Sequence, residues 1–297
     1  ESLAGRAVFL DLEGFSLSEI SGAALGRSWL AAWLDGPDRF LASSPTRLPV
    51  PRPLFEQLWR GFLPEAQFVP LETVPDFCAS YQRSYVERDV RMMADVSDWT
   101  LFGRFTRLAA ALSAQEVNHS QCGRDIGVTP QTAKRWLDLL RATFQWSEVP
   151  AYSGSVVKRV SGRPKGFVTD TGIACAAQAI SSPAALAGHP LLGAVFETAV
   201  AGEIRRLAAA LPARPIVYHW RAHSGAEVDL LLERDGTFFP IEVKATSHPS
   251  RAAASGITAF REAHPRLRIE RGLVIAPIDH ATPLTERDVA IPWDLAG

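Results

Sequence analysis

The sequence has no glycine-rich phosphate-binding loop. The pattern G-x-x-x-x-G-K-S/T occurs nowhere in its 297 residues, so nucleotide hydrolysis cannot be assigned to the chain by itself. Cysteine is sparse: Cys78, Cys122 and Cys175 are odd in number and far apart. That spacing offers neither a disulfide framework nor a zinc site, and it fits a reducing, cytoplasmic compartment. No apolar run approaches the roughly 20 residues that cross a bilayer, and no signal peptide opens the chain, so no membrane partner is expected. The seven histidines have no metal-ligand spacing, and no elbow motif marks a Ser/His/Asp nucleophile. A net charge of −1 excludes a globally basic nucleic-acid binder, so any such surface must be local. Lysine is scarce as well. Only Lys134, Lys158, Lys165 and Lys244 stand among 31 basic residues, the rest being arginine.

What the chain does contain is a charged hairpin. Glu227-Val228-Asp229 and Ile241-Glu242-Val243-Lys244 flank Arg234-Asp235-Gly236-Thr237, a tight turn in which Asp-Gly supplies the positive φ that two-residue loops need. With Asp235 and Gly236 central, Asp229 faces Glu242 and Glu227 faces Lys244, their Cβ atoms roughly 4.5–5.5 Å apart. Two acids that close repel unless a cation sits between them. Val228, Leu230, Leu232, Ile241 and Val243 form an apolar stripe on the other side, so one face is expected to pack and the other to carry charge. The plainer reading is a solvated strand face with opposite charges paired across the ladder for a few tenths of a kcal/mol. It suits Glu227 with Lys244 but not Asp229 with Glu242. In so arginine-rich a chain, a lysine on this face points to a need for a compact ammonium rather than a planar fork.

Asp229 followed by Glu242-Val243-Lys244 resembles the PD-(D/E)xK nucleases, and Glu197 in Gly193-Ala194-Val195-Phe196-Glu197 matches the acid often found on their preceding helix. The resemblance implies catalytic roles for Glu197, Asp229, Glu242 and Lys244, with Asp229 and Glu242 holding Mg²⁺ or Mn²⁺ beside a scissile phosphate. Hard oxygen ligands suit those ions, and Lys244 would stabilise the developing charge or position the water. His219 and His223 flank this site and read as structural or solvated.

The first residues resemble a different module. Ala7-Val8-Phe9-Leu10-Asp11-Leu12 reads as a buried strand, and with Phe15-Ser16-Leu17-Ser18-Glu19-Ile20 it is similar to the stretch after the sensor strand of bacterial and archaeal AAA+ ATPases that carry a C-terminal domain of unknown function, the DUF4143 type. By this resemblance the half bearing the phosphate loop is absent, ATP belongs only to the complete protein, and a homo-oligomer would assemble through the AAA+ module. Arg6 is then an arginine-finger candidate, or else a helix-end arginine. Trp29, Trp33, Phe40, Phe55, Trp59 and Phe62, mixed with Gly and Pro, suggest the short helices of a lid, and Pro45 to Pro53 a packed loop. Tyr85-Val86-Glu87-Arg88-Asp89-Val90-Arg91 resembles the helix leading from that lid, and a second connector helix is expected around Leu101 to Leu112.

A helix-turn-helix follows, with Glu116 to Asp125 as the first helix, Gly127-Val128-Thr129 as the turn, and a second helix from Pro130. Thr129 can cap that helix and Pro130 suits its first position. Ala133, Leu137 and Leu140 should face inward, leaving Gln131, Lys134 and Arg135 as donors for bases or phosphates. Strands at Tyr152 to Val160 and Gly166 to Val168 would form a wing made basic by Lys158, Arg159, Arg163 and Lys165. The expected architecture is therefore α/β and multidomain. It comprises an AAA+ remnant and lid at 1–76, connector helices and winged helix-turn-helix at 77–168, and a restriction-endonuclease-like α/β domain at 169–297. DNA is the expected partner, with RNA second; the α/β domain is expected to act on DNA as a metal-dependent nuclease, the alternative being a noncatalytic module that binds nucleic acid or another protein under control of the ATPase.

Overall fold

The computed structural model describes residues 6, 11–23, 26–90, 92, 96, 98–154 and 162–296. Among them are 12 α-helices and two sheets, a mixed α/β organisation. The N-terminal segment folds as short helices. Helix α1 (Leu17–Ile20) starts at a capping box in which Ser16 and Glu19 satisfy each other's backbone donors. Helices α2 (Trp29–Asp35), α3 (Pro37–Ala42) and α4 (Leu54–Arg60) follow, burying Trp29, Trp33, Phe40 and Trp59. Residues 7–10 of the expected first strand lie outside the described residues, Leu12 is exposed, and Arg6 sits in an exposed turn. The proline-rich stretch packs as expected: Leu48 is buried, its N–H bonds the Asp294 carbonyl, and Arg47 grips the Asp294 carboxylate.

Helix α5 (Val74–Ser84) runs into a π-helical turn at Tyr85–Val90, and α6 (Trp99–Ala111) begins at Asp98, whose carboxylate accepts the Leu101 N–H. The next unit departs from the sequence reading at its edges. Gln115–Glu116 is a short strand, β1, and α7 (His119–Ile126) starts three residues later than expected because Asn118 supplies the cap. Gly127 takes the left-handed conformation that ends α7, and α8 (Pro130–Ala142) is capped by Thr129, with Ala133, Leu137 and Leu140 buried. Strands β2 (Trp146–Val149) and β3 (Lys165–Val168) complete a sheet in the order β1-β3-β2. The expected strand from Tyr152 is not present at its start. Tyr152 is buried instead in an aromatic cluster with Tyr218, Phe238 and Phe260, while residues 155–161 lie outside the described part.

Helices α9 (Thr171–Ala177) and α10 (Pro183–Ala187) lead to the long α11 (Leu192–Ala209). Behind it lies a seven-stranded sheet of β4 (Ile216–Arg221), β5 (Glu227–Arg234), β6 (Thr237–Val243), β7 (Arg268–Ile269), β8 (Gly272–Ala276), β9 (Thr282–Pro283) and β10 (Asp288–Pro292). Its order is β4-β5-β6-β8-β10-β9, with β7 also on β6; β4, β5 and β6 are antiparallel, whereas β6, β8 and β10 run parallel. Helix α12 (Ser255–Ala263) supplies the crossover between β6 and β8.

These parts share one core. A single apolar cluster runs from Leu17 through Phe105, Trp136 and Phe196 to Leu295, and the Trp33 ring meets Phe239 edge-on at 5.4 Å. Each such large side chain contributes about 1.5–3 kcal/mol by leaving water. Asp170 ties the N-terminal segment to α9: its carboxylate accepts N–H donors from Phe62 (2.6 Å), Leu63 (3.1 Å), Gly172 (2.9 Å) and Ile173 (3.1 Å). Asp170→Ala would strand these donors, and a buried unpaired group costs about 1–3 kcal/mol. A loss of about 3 kcal/mol or more is expected in urea unfolding; a loss below about 1 kcal/mol would show that water replaces the carboxylate.

Candidate functional site: an acid cluster closed by two lysines

The hairpin register is the one its sequence dictates. Pairs run from Leu230↔Ile241 to Arg234↔Thr237, and both turn residues take positive φ, 53° at Asp235 and 74° at Gly236. The next position along brings Asp229 beside Glu242. The side expected to carry charge is not open to water, however, so the plainer reading of a solvated strand face does not hold. Asp229 and Glu242 are 3% and 2% exposed, and on the same side Leu231 and Phe238 pack beneath Ile257 and Phe260 of α12. A strand buried on both faces loses the alternation from which an open charged face was inferred. Glu227 departs too, pairing with Arg221 at 3.2 Å instead of with Lys244.

Glu197 on α11 does join Asp229, Glu242 and Lys244. The cation among them is unexpected. Lys165 of β3, read from the sequence as a basic wing residue, is 5% exposed and places its Nζ against Glu197 and 2.9 Å from Asp229 Oδ1. It cannot serve a nucleic-acid surface from there. All four residues of β3 are buried because this central strand is covered by α11, so its lysine is aimed inward at the acids within reach. Asp229 Oδ2 accepts the Val243 N–H at 2.9 Å, and Lys244 Nζ lies 2.9 Å from Glu242 Oε2 and 3.9 Å from Asp229 Oδ2. The start of α12 seals the cluster. A Cβ on Gly256 would fall 2.1 Å from Glu242 Oε1 and 1.7 Å from the Glu227 carbonyl oxygen, so only glycine fits.

Burial and the Asp229 charge push Glu242 up to about 9, and the same two causes push Glu197 up to about 8 against the pull of Lys165. Burial also opposes charge on Asp229, but Lys165 and Lys244 outweigh it and hold Asp229 below the usual carboxylate range. On Lys165, burial is likewise overcome by Asp229 and Glu197, which raise its pKa. The arrangement thus keeps one ionised carboxylate between two ammonium groups and favours protons on the other two acids. Among the described residues no group of three or more His, Cys, Asp or Glu side chains is arranged to hold a metal ion, and one oxygen of Asp229, the expected partner of Glu242 in holding Mg²⁺ or Mn²⁺, is met by the Lys165 ammonium.

The remaining candidates are dispersed. Gln131, Lys134 and Arg135 are exposed on α8, where Lys134 meets Asp138 at 2.7 Å. Arg163 is exposed, and its carbonyl bonds the Nε2 of buried His219 at 3.0 Å. Lys158 and Arg159 lie outside the described residues. His219 sits at an irregularity of β4 where its backbone joins Pro150 and Tyr152, and His223 is in an exposed turn, so both have structural or solvated roles. Lysine scarcity was the signal that could have found Lys165. It singled out Lys244, and it applied equally to Lys165, since two of the chain's four lysines meet in this cluster.

Two family models match the chain: a domain of unknown function, DUF8612, over residues 52–184, and another, DUF4143, over residues 192–296. A DUF4143 domain, typical of AAA-ATPase-associated proteins, is therefore present at the C-terminal end. The second match opens where α11 opens and contains three of the cluster's acids and Lys244; Lys165 lies in the first. Among curated proteins, the uncharacterized protein Rv2008c of Mycobacterium tuberculosis and the uncharacterized protein Mb2031c of Mycobacterium bovis are each 28% identical over 99% of this chain. The chain spans 58% of the length of these relatives. No solved structure matches it significantly. No helix among the described residues is long and apolar enough to cross a membrane.

Acids with raised folded-state pKa values bind protons that the unfolded chain releases, so stability should fall as pH rises from about 4.5, their unfolded value, toward about 9. Melting curves between about pH 5 and 9 should show a decline of several degrees, and Glu242→Gln should flatten it. An unchanged slope in that variant would mean that Glu242 is ionised in the folded protein.

Proposed function

We propose that this chain is the nucleic-acid-engaging C-terminal part of an AAA+-type ATPase, with a winged helix-turn-helix that binds DNA and a nuclease-like α/β domain that serves as a noncatalytic platform. Supporting the first element is the order α6-β1-α7-α8-β2-β3, helix, short strand, two helices, then two strands, with Gln131, Lys134 and Arg135 exposed on the helix that would enter a groove. The observation that carries the second is Asp229. Both its oxygens are already engaged, by Lys165 and by the Val243 N–H, and its acidic neighbours are buried under Gly256. Donors from the protein itself thus stand where a metal ion or its water would be expected, which supports the noncatalytic reading.

The ATPase half, nucleotide binding and any homo-oligomer belong to the longer protein in this reading. RNA is the second candidate polymer. A Mg²⁺- or Mn²⁺-dependent nuclease remains the competing reading for one specific reason: Glu197, Asp229, Glu242 and Lys244 do converge, and Lys244 still reaches solvent with 37% of its side chain exposed.

Two measurements separate these readings. Fluorescence anisotropy with duplex DNA across a salt series should show binding that Lys134→Glu/Arg135→Glu weakens, with a salt slope reduced by about 0.9 for each phosphate that is no longer neutralised. Equal affinity in the double variant would make the three-helix unit, α6 to α8 with the sheet β1-β3-β2, a connector. Incubation of plasmid and single-stranded DNA with Mg²⁺ or Mn²⁺ should leave both intact. Cleavage that EDTA stops and that Asp229→Asn and Lys244→Ala abolish would establish the nuclease instead.

A further inference from the structure

The nuclease-like pattern calls for a divalent cation between its acids, yet the cation that meets Asp229 and Glu197 in this structure is an ammonium. Lys165 does so from outside the hairpin and outside α11. Its ammonium lies 2.9 Å from Asp229 Oδ1 and contacts Glu197, while Lys244, from within the motif, lies 2.9 Å from Glu242. The two lysines carry between them the two positive charges that one divalent ion would bring. Lys165 is also nearly sealed from water, with its side chain 7% exposed, and a buried ammonium is tolerated only where acids surround it. Its position is fixed by a backbone that cannot drift: Lys165 pairs with Glu116 on β1 and with Val149 on β2.

We propose that Lys165 is a tethered replacement for the divalent cation, an ammonium delivered by the three-helix unit that closes the acid cluster and makes it independent of metal. The cluster is then a latch between the two units. It joins β3, α11 and β5 through one buried charge network, and its formation requires the units to be docked as they are here. The inference rests on the nuclease-like reading of the hairpin, but its test reads metal binding and not DNA, so either can fail alone.

The test compares thermal unfolding and Mn²⁺ electron paramagnetic resonance for the whole chain and its variants, with and without millimolar MnCl₂. The wild-type protein should show no Mn²⁺-dependent shift in melting temperature and no immobilised Mn²⁺. Lys165→Ala should melt lower in EDTA, because the buried Asp229 charge loses the ammonium on its Oδ1, and should recover much of that loss with MnCl₂ as the ion takes the vacated place. Adding Asp229→Asn to Lys165→Ala should remove the recovery. A wild-type shift that Asp229→Asn abolishes would overturn the proposal, and so would a folded Lys165→Ala protein that gains no Mn²⁺ response. If Lys165→Ala does not fold even with MnCl₂, the wild-type and Asp229→Asn arms decide: a response that depends on Asp229 overturns it, and its absence upholds it.

Discussion

The charge on Asp229 is the constraint around which this protein is arranged. An ionised carboxylate almost wholly removed from water is costly unless each oxygen is met by a donor, and here Lys165 meets one oxygen and the Val243 N–H the other. Those two donors come from different parts of the chain, one from the three-helix unit and one from the adjacent strand. Satisfying a single buried charge therefore fixes how β3 lies against the seven-stranded sheet. The polar link between the N-terminal segment and α9 follows the same logic, since the Asp170 carboxylate gathers four N–H donors from Phe62, Leu63, Gly172 and Ile173. At α1 the buried Glu203 carboxylate receives the Leu17 N–H and the Arg206 guanidinium. Buried acids bridging sequence-distant segments are a recurring device in this molecule, each placed where a helix end or a strand offers donors.

That device bears on function. A surface cluster of acids is available to ligands, whereas one whose oxygens are consumed by the protein's own donors is part of the core. This occupancy is what supports the proposed platform reading of the α/β unit, while Gln131, Lys134 and Arg135 are exposed on α8. The aromatic cluster of Tyr152, Tyr218, Trp220, Phe238 and Phe260 packs the chain just after β2 against the edge of the large sheet, so apolar burial and the charge network hold the same pair of units together.

Much of the local structure was legible because it depends on neighbours in sequence. Asp235-Gly236 dictates a two-residue turn, and with it the register that sets Asp229 beside Glu242. Thr129-Pro130 starts α8 where capping chemistry says it should, and the spacing of Ala133, Leu137 and Leu140 gives its inner face. Glu197 could be placed near the hairpin only through a family resemblance, and the structure brings it there. The start of α7 was not legible because Glu116 is a good helix former by composition, while its pairing with Lys165 of β3 joins segments far apart in the chain. The late strands β9 and β10 carry little sequence signal because each is short and lies among turns.

What the sequence determined by itself were turns, caps, the hairpin register and the apolar faces, all of which follow from φ preferences and from periodicity. What only the tertiary structure decided was exposure. Lys165 looks like a solvated basic residue beside Arg163, and Asp229 and Glu242 look like an open acidic face, until β3 is docked under α11 and Gly256 closes over the hairpin. Burial on both sides of a strand depends on which elements come to rest on it, and those lie far off in the chain. Three acids and two lysines thereby become one internal network, because charges that water would have screened separately must, once it is excluded, satisfy one another.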